Sequence, residues 1–194
     1  MEVLSGDDVI EVFRSAGALL EGHFAYASGR HGQHFLQAAR VLQMPEYTER
    51  LCRALAARFD QDRVELVVGP ATGGIILAYE TARHLKCRAG FSEKERDGGM
   101  AVKRGLAIRS GVRVLVVEDI ITTGGSVQKT LTHLESRGAD IVGVGALIDR
   151  SGGHAAFACR FEALAQFTLE SWPADAVPAW LQQVPVSEPD DLVV

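Results

Sequence analysis

Residues 114–126, VLVVEDIITTGGS, run from an aliphatic stretch into two adjacent carboxylates, Glu118 and Asp119, and then into Thr122, Thr123, Gly124, Gly125 and Ser126. A short apolar run that ends in a polar loop and a helix-opening serine reads as a buried parallel strand delivered to its carboxyl end. In an open parallel sheet, ligands bind beyond those ends, so both acids emerge at the binding edge. The two glycines permit a tight turn, and the amides of residues 123–126, backed by the positive end of the following helix, face an anion. Three hydroxyls can donate to the same anion, while the carboxylates can accept from vicinal sugar hydroxyls. Carboxylates beside a phosphate cradle point to a ribose 5-phosphate. An acidic strand end followed by an ordinary glycine turn and helix cap is the alternative left open by these residues alone.

Working outward, apolar runs alternate with helical patterns. VELVV at 64–68, a helix over about 73–86, VRVLVV at 112–117, a helix over about 125–137 and IVGVGALI at 141–148 predict an α/β fold, a parallel sheet flanked by crossover helices. Upstream, Ser5 with Asp8 forms a capping-box pattern, and Val9, Val12, Phe13, Ala16, Leu19 and Leu20 recur at helical spacing, which predicts a first helix over 6–21. Residues 22–43 mix aromatics, glycine and histidines, with Phe24–Tyr26 and Phe35–Leu36 as short strands of a small antiparallel subdomain. Pro45 opens a helix with Leu51, Ala54, Leu55 and Phe59 as its stripe. FSEKERDGGMAVKRGL, residues 91–106, is too charged for core and reads as a long mobile loop, with a hairpin as one form it can take. The stretch after Trp172, with Pro173, Pro178, Pro185 and Pro189, reads as a surface wrap with a frayed end. The 194 residues thus predict one domain: an N-terminal helix and hood over 1–43, a core over 44–172 and a C-terminal wrap over 173–194.

Composition, with 47% hydrophobic and 23% charged residues, matches a packed globular domain. No apolar run nears the roughly 20 residues of a membrane span, and MEVLSGDDVI is acidic where a secretory signal is basic, so a cytoplasmic location is expected. A net charge of −5 without a basic cluster argues against nucleic acid as a partner. Cys52, Cys87 and Cys159 lack CxxC spacing and read as small apolar residues, while His23, His31 and His34 match no familiar zinc pattern. GPATGG, residues 69–74, is a second glycine-rich strand-to-helix loop, but Ile75 stands where a nucleotide P-loop needs lysine.

The 114–126 string resembles the 5-phosphoribosyl 1-diphosphate signature of type I phosphoribosyltransferases. Through ALLEGHFAYASGRH, VVGPATGGIILAYE, FSEKERDGGM and ALIDRSGG the chain resembles the orotate-using branch of that family. The resemblance implies a type I phosphoribosyltransferase-like sheet with a small N-terminal subdomain, and transfer of ribose 5-phosphate from 5-phosphoribosyl 1-diphosphate to orotate. The products would be orotidine 5-phosphate and diphosphate, a step of pyrimidine nucleotide synthesis.

It further implies that Glu118 and Asp119 hold the ribose, that residues 122–126 anchor the 5-phosphate, and that Ala71, Thr72 and Gly73 hold the diphosphate. Among Lys94, Arg96, Lys103 and Arg104, Lys94 is the best match to the catalytic cation, with Arg96 a second diphosphate contact. Their loop, 93–104, would close over the neighbouring site of a homodimer. Arg150 and Thr122 would contact orotate, with Phe35 on its ring. Mg²⁺ would bind through substrate and water near the two acids rather than in a cage of direct protein ligands. Two positions depart from the pattern: Gly73 stands where some members have lysine, and Ala27 where many have a basic residue.

Apart from the resemblance, Arg150 beside Asp149 reads as a strand-end ion pair, Lys94 as part of a solvated hairpin and Phe35 as core. A purine phosphoribosyltransferase shares the cradle. A donor-sensing regulator would need a basic nucleic-acid face, and an unrelated anion-binding α/β domain would need all matching segments to be coincidental.

Overall fold

The computed structural model describes residues 4–26 and 28–187; Ala27 and Pro189 lie outside the described residues. Helix α1, Gly6–Ser15, starts as its sequence dictates: Ser5 Oγ accepts from the Asp8 amide at 3.2 Å, and Asp8 Oδ2 accepts from the Ser5 amide at 2.8 Å. It ends six residues short of the expected 21. The Gly17 amide donates to the Arg14 carbonyl and the Ala18 amide to the Phe13 carbonyl, with Gly17 at φ 63°, so the chain leaves the helix there. Leu19 and Leu20, which continued the helical spacing, instead open strand β1, Leu19–Ala25.

Strand β1 pairs antiparallel with β2, Arg30–Leu36. The short helix α2, Ala39–Leu42, and helix α3, Pro45–Ala57, follow, with Phe59 buried just beyond. The core then alternates as expected: β3, Leu66–Pro70; α4, Gly73–Leu85; β4, Arg88–Lys94; β5, Met100–Val102; β6, Arg113–Ile121; α5, Gly125–Ser136; β7, Asp140–Asp149; and β8, Phe161–Gln166. The charged stretch 91–106 is hairpin-like, as expected: the end of β4 turns into β5 antiparallel, with Met100, Ala101 and Val102 buried, while the residues between and after the two strands form loop. Its charges sit at the tip and on the outer face, a placement that composition alone does not reveal.

The six-stranded sheet has the order β5-β4-β3-β6-β7-β8 and is parallel except at β4–β5. Side chains alternate across it. Val67, Leu115, Val117 and Leu147 join α3 and α4 in one core, while Leu66, Val68, Val114, Val116 and Val144 join α5 in the other. Each fully buried aliphatic side chain stabilises the fold by about 1.5–3 kcal/mol. Among the described residues no helix is long and apolar enough to cross a membrane.

The C-terminal segment adds more than a wrap. Strands β9, Trp172–Pro173, and β10, Val186–Ser187, flank the N-terminal pair in a second sheet of order β10-β1-β2-β9, with helix α6, Ala179–Gln182, between them. The two ends of the chain therefore build the small subdomain together.

Candidate functional site

From β3 the chain crosses through α4 to β4 on one side of the sheet, and from β6 through α5 to β7 on the other. The carboxyl ends of the adjacent strands β3 and β6 therefore flank a topological switch point, where an open α/β sheet leaves a crevice. Both glycine-rich loops end there. The N-termini of α4 and α5, with the positive ends of their dipoles, face the same opening.

The 69–74 loop folds back on itself. A side-chain carbon on Gly69 would lie 2.0 Å from the Gly74 carbonyl oxygen, so strand and helix touch backbone to backbone. The Ala71 amide donates to the Ser92 carbonyl at 2.8 Å, the Ala71–Thr72 peptide is cis, and Ala71 and Thr72 are exposed to the crevice. Gly73 lies directly under the acid pair, since a side-chain carbon there would sit 2.3 Å from Asp119 Oδ2. The two loops are thus one site.

Strand β6 runs longer than the apolar pattern suggested and carries Glu118 and Asp119 inside its paired length, with Glu118 opposite Ala146 of β7. Asp119 Oδ1 accepts from the Ile120 amide at 2.6 Å, and Glu118 Oε1 accepts from the Asp119 amide at 3.3 Å. Among the described residues neither carboxylate has a cationic partner. Burial, reinforced by the charge of Asp119, pushes the Glu118 carboxyl up to about 8, and burial also raises Asp119. Two half-buried acids without a counter-ion form a place prepared for positive charge.

Between its ordinary value of 4.5 and about 8, the folded Glu118 carboxyl keeps its proton while the unfolded one ionises. Its stabilising contribution is therefore complete below 4.5 and is lost as pH rises through about 8. Glu118→Gln should remove that loss. After allowing for solvent at the half-buried group, the gain at pH 8.5 is about 1–2 kcal/mol, or a melting temperature about 2–8 °C higher. Thermal unfolding of both proteins at pH 4.5 and 8.5 checks this, and an equal difference at the two pH values contradicts it.

The turn after β6 encloses a cavity of about 70 Å³ lined by Glu118 and residues 120–127. Gly124 caps α5 at φ 72°; Thr122, Thr123, Gly125 and Ser126 are exposed to the cavity side, and Thr123 Oγ1 accepts from the Gly125 amide at 3.4 Å. Helix α5 is fixed from below by a buried contact of 2.7 Å between Thr130 Oγ1 and Ser92 Oγ.

The four candidate cations separate into two kinds. Arg104 forks onto Glu93 at 2.9 and 2.7 Å, and Lys103 pairs with Glu95 at 2.8 Å. Lys94 and Arg96 are exposed and, among the described residues, have no partner. The hairpin tip is held by Lys129 of α5, whose Nζ donates to the Gly98 carbonyl at 2.7 Å.

Arg150 lies just past β7, its amide donating to the Ile121 carbonyl at 2.8 Å. The ion pair with Asp149 that sequence proximity allows is not formed: Asp149 is buried and accepts from the Ser151 amide at 2.8 Å. The half-buried Arg150 guanidinium instead sits 5.0 Å from the centre of the Tyr26 ring, beside a cavity of about 290 Å³ that Ser28, Ser151, His154, Thr168 and Ser171 also line. Phe35 packs on Phe24, with centroids 5.8 Å apart, and does not line this cavity. Tyr26, not Phe35, is the aromatic that the fold brings to Arg150. Sequence reading passed over it because the pairing of β1 with β2 decides which aromatic faces the core sheet.

Similarity to known proteins accords with this geometry. The phosphoribosyl transferase domain family matches residues 40–172. An orotate phosphoribosyltransferase of Thermus thermophilus is 46% identical over 181 residues, covering 93% of this chain and 99% of that one. One from Desulforamulus reducens is 44% identical over 186 residues, covering 96% and 97%. The crystal structure of orotate phosphoribosyltransferase from Aeropyrum pernix superposes with a TM-score of 0.68 at 28% identity, covering 81% of this chain and 93% of that one. With a family match over residues 40–172, a shared fold and relatives aligned almost end to end, the chain belongs to the phosphoribosyltransferase family, among the orotate phosphoribosyltransferases.

Proposed function

We propose that the chain transfers ribose 5-phosphate from 5-phosphoribosyl 1-diphosphate to orotate, yielding orotidine 5-phosphate and diphosphate in pyrimidine nucleotide synthesis. The observation that carries this reading is the convergence of two helix N-termini on the side chains of Glu118 and Asp119, with Arg150, which has no carboxylate partner among the described residues, just past the neighbouring strand. Residues 122–126 bind the 5-phosphate through amides and hydroxyls, and the exposed backbone of Ala71, Thr72 and Gly73 binds the diphosphate. Arg150 offers its planar fork to the orotate carboxylate, with Thr122 as a further polar contact. Phe35 supports the acceptor pocket indirectly, through the hood.

Bond breaking at the anomeric carbon builds positive charge on the ribose beside Asp119 and Glu118, and a cation entering the site favours loss of the proton that Glu118 holds in the free protein. Their catalysis is electrostatic, with no covalent nucleophile. The same pair suits Mg²⁺, a hard cation that takes oxygen ligands. Among the described residues no group of three or more His, Cys, Asp or Glu side chains is placed to hold a metal, so substrate oxygens and water would complete the shell. When bound, Mg²⁺ neutralises diphosphate charge and thereby eases its departure.

Lys94 and Arg96 supply cationic contacts to the diphosphate, and the hairpin over 93–104 excludes water during transfer. Lys94→Ala should lower kcat about tenfold to a hundredfold, whereas Lys103→Ala, which frees only Glu95, should stay within about twofold. Steady-state rates of the two variants decide whether the unpartnered lysine has the assigned role. A second copy of the chain covers the exposed apolar face of α4, where Ile76 and Tyr79 are 48% and 67% exposed, and brings the hairpin to its neighbour's site. Sedimentation of the wild type and of Tyr79→Glu tests that arrangement.

The test of the acceptor assignment is diphosphate release as a function of orotate concentration. Arg150→Gln should raise the orotate KM at least tenfold with little change in the donor KM. Equal effects on both substrates would remove Arg150 from the acceptor site.

A further inference from the structure

Tyr26 closes β1 and is held from several directions. Its amide donates to the Arg30 carbonyl at 2.8 Å and its carbonyl accepts from the Gly29 amide at 2.8 Å, which fixes the backbone at the hairpin turn. Its hydroxyl donates to the His34 carbonyl at 2.5 Å, and its ring lies across Gly32, where a side-chain carbon would meet the phenol oxygen at 2.1 Å. The ring thus has one place to be, set by a turn, a hydrogen bond and a missing side chain. Burial raises the phenol's pKa, opposed only in part by Arg150, so the hydroxyl stays a neutral donor.

The face of that ring carries the Arg150 guanidinium, with Cζ 5.0 Å from the centroid. Among the described residues Arg150 has no carboxylate partner, although it is half-buried and borders the 290 Å³ cavity. Desolvating a guanidinium without an anion is costly, and the ring quadrupole supplies part of the missing counter-charge without occupying the N–H donors. A carboxylate side chain in the same place would stabilise the arginine better but would occupy the fork that an acidic acceptor needs. An aromatic face leaves all five donors free.

Resting on the reading of Arg150 given above, we propose that Tyr26 is a specificity-determining positioning residue. It holds the Arg150 guanidinium edge-out toward the cavity, ready for the carboxylate of the acceptor base. Discrimination in favour of an acidic pyrimidine over its neutral counterpart then depends on a hood residue that itself makes no bond to the reacting atoms.

The experiment measures kcat and KM for orotate, uracil and donor in Tyr26→Leu, Tyr26→Phe, Arg150→Gln and the Tyr26→Leu/Arg150→Gln double variant. Thermal unfolding identifies folded variants, and Tyr26→Met substitutes for the leucine if that protein does not fold. Tyr26→Leu should raise the orotate KM about tenfold, leave kcat and the donor KM within about twofold, and narrow the preference for orotate over uracil. Tyr26→Phe, which keeps the ring, should recover most of the affinity. In the Arg150→Gln background the leucine change should add little, because the two side chains act as one unit. An unchanged orotate KM in Tyr26→Leu, or an undiminished effect in the double variant, overturns the proposal. An unchanged orotate KM in Arg150→Gln instead overturns the acceptor assignment on which it rests.

Discussion

Asp119→Asn should leave the protein folded and lower kcat for nucleotide formation by about 10²–10³-fold, the scale on which removal of one preorganised electrostatic group is felt. The carboxylate lies over Gly73, at the point where the two loops meet, and has no cationic side chain among the described residues to neutralise it. In the proposed reaction, a ribose that turns cationic supplies the missing positive charge. The amide is nearly isosteric and can still accept from the Ile120 amide, so the local backbone is kept while the charge is lost. The effect should appear in kcat more than in the donor KM, because the charge is needed most when the sugar becomes cationic. Stopped-time assays with saturating donor and orotate provide the number. A loss smaller than about threefold would mean that Asp119 serves only the architecture of the strand.

Gly69→Ala should be the most damaging single methyl in the site. The added carbon would lie 2.0 Å from the carbonyl oxygen and 2.5 Å from the carbonyl carbon of Gly74, both backbone atoms that no rotamer change can move. Strand β3 and helix α4 must separate, and the 69–74 loop opens. The expected cost is about 2–4 kcal/mol, a melting temperature lower by about 4–16 °C, with donor affinity down at least tenfold. Gly90→Ala is the control, because its nearest neighbour is the mobile end of Leu106 at 3.4 Å. Denaturant unfolding of both, with donor binding by calorimetry, separates this account from one in which the loop merely tolerates small residues. Equal stability of the two variants would contradict it.

The parallel core was legible because its strands are buried on both faces and appear as unbroken aliphatic runs, as at Val67–Val68 and Val114–Val117. The strand-to-helix turn at 122–126 was legible because glycine, hydroxyl and acidic residues occur together in one short segment. Less local features were hidden. Helix α1 stops at Ser15, closed by two hydrogen bonds from Gly17 and Ala18 that the apolar spacing of Leu19 and Leu20 conceals. Strand β5 of the 91–106 hairpin was hidden because Lys94, Glu95, Arg96 and Asp97 outweighed the buried triplet Met100–Val102. The place of Tyr26 depends on β1–β2 pairing and on Gly32 beneath its ring, and the strands supplied by residues 172–187 depend on contacts more than a hundred residues away in sequence.

A competition among acceptor bases tests the transfer to orotate. The purified protein is incubated with Mg²⁺, 5-phosphoribosyl 1-diphosphate and equal concentrations of orotate, uracil, adenine, hypoxanthine and guanine, and the nucleotides formed are identified by mass. Orotidine 5-phosphate is expected as the dominant product, with diphosphate released in equal amount. A purine nucleotide as the main product would retain the cradle and contradict the acceptor site built on Arg150, and donor binding without any nucleotide would contradict the transfer reaction itself.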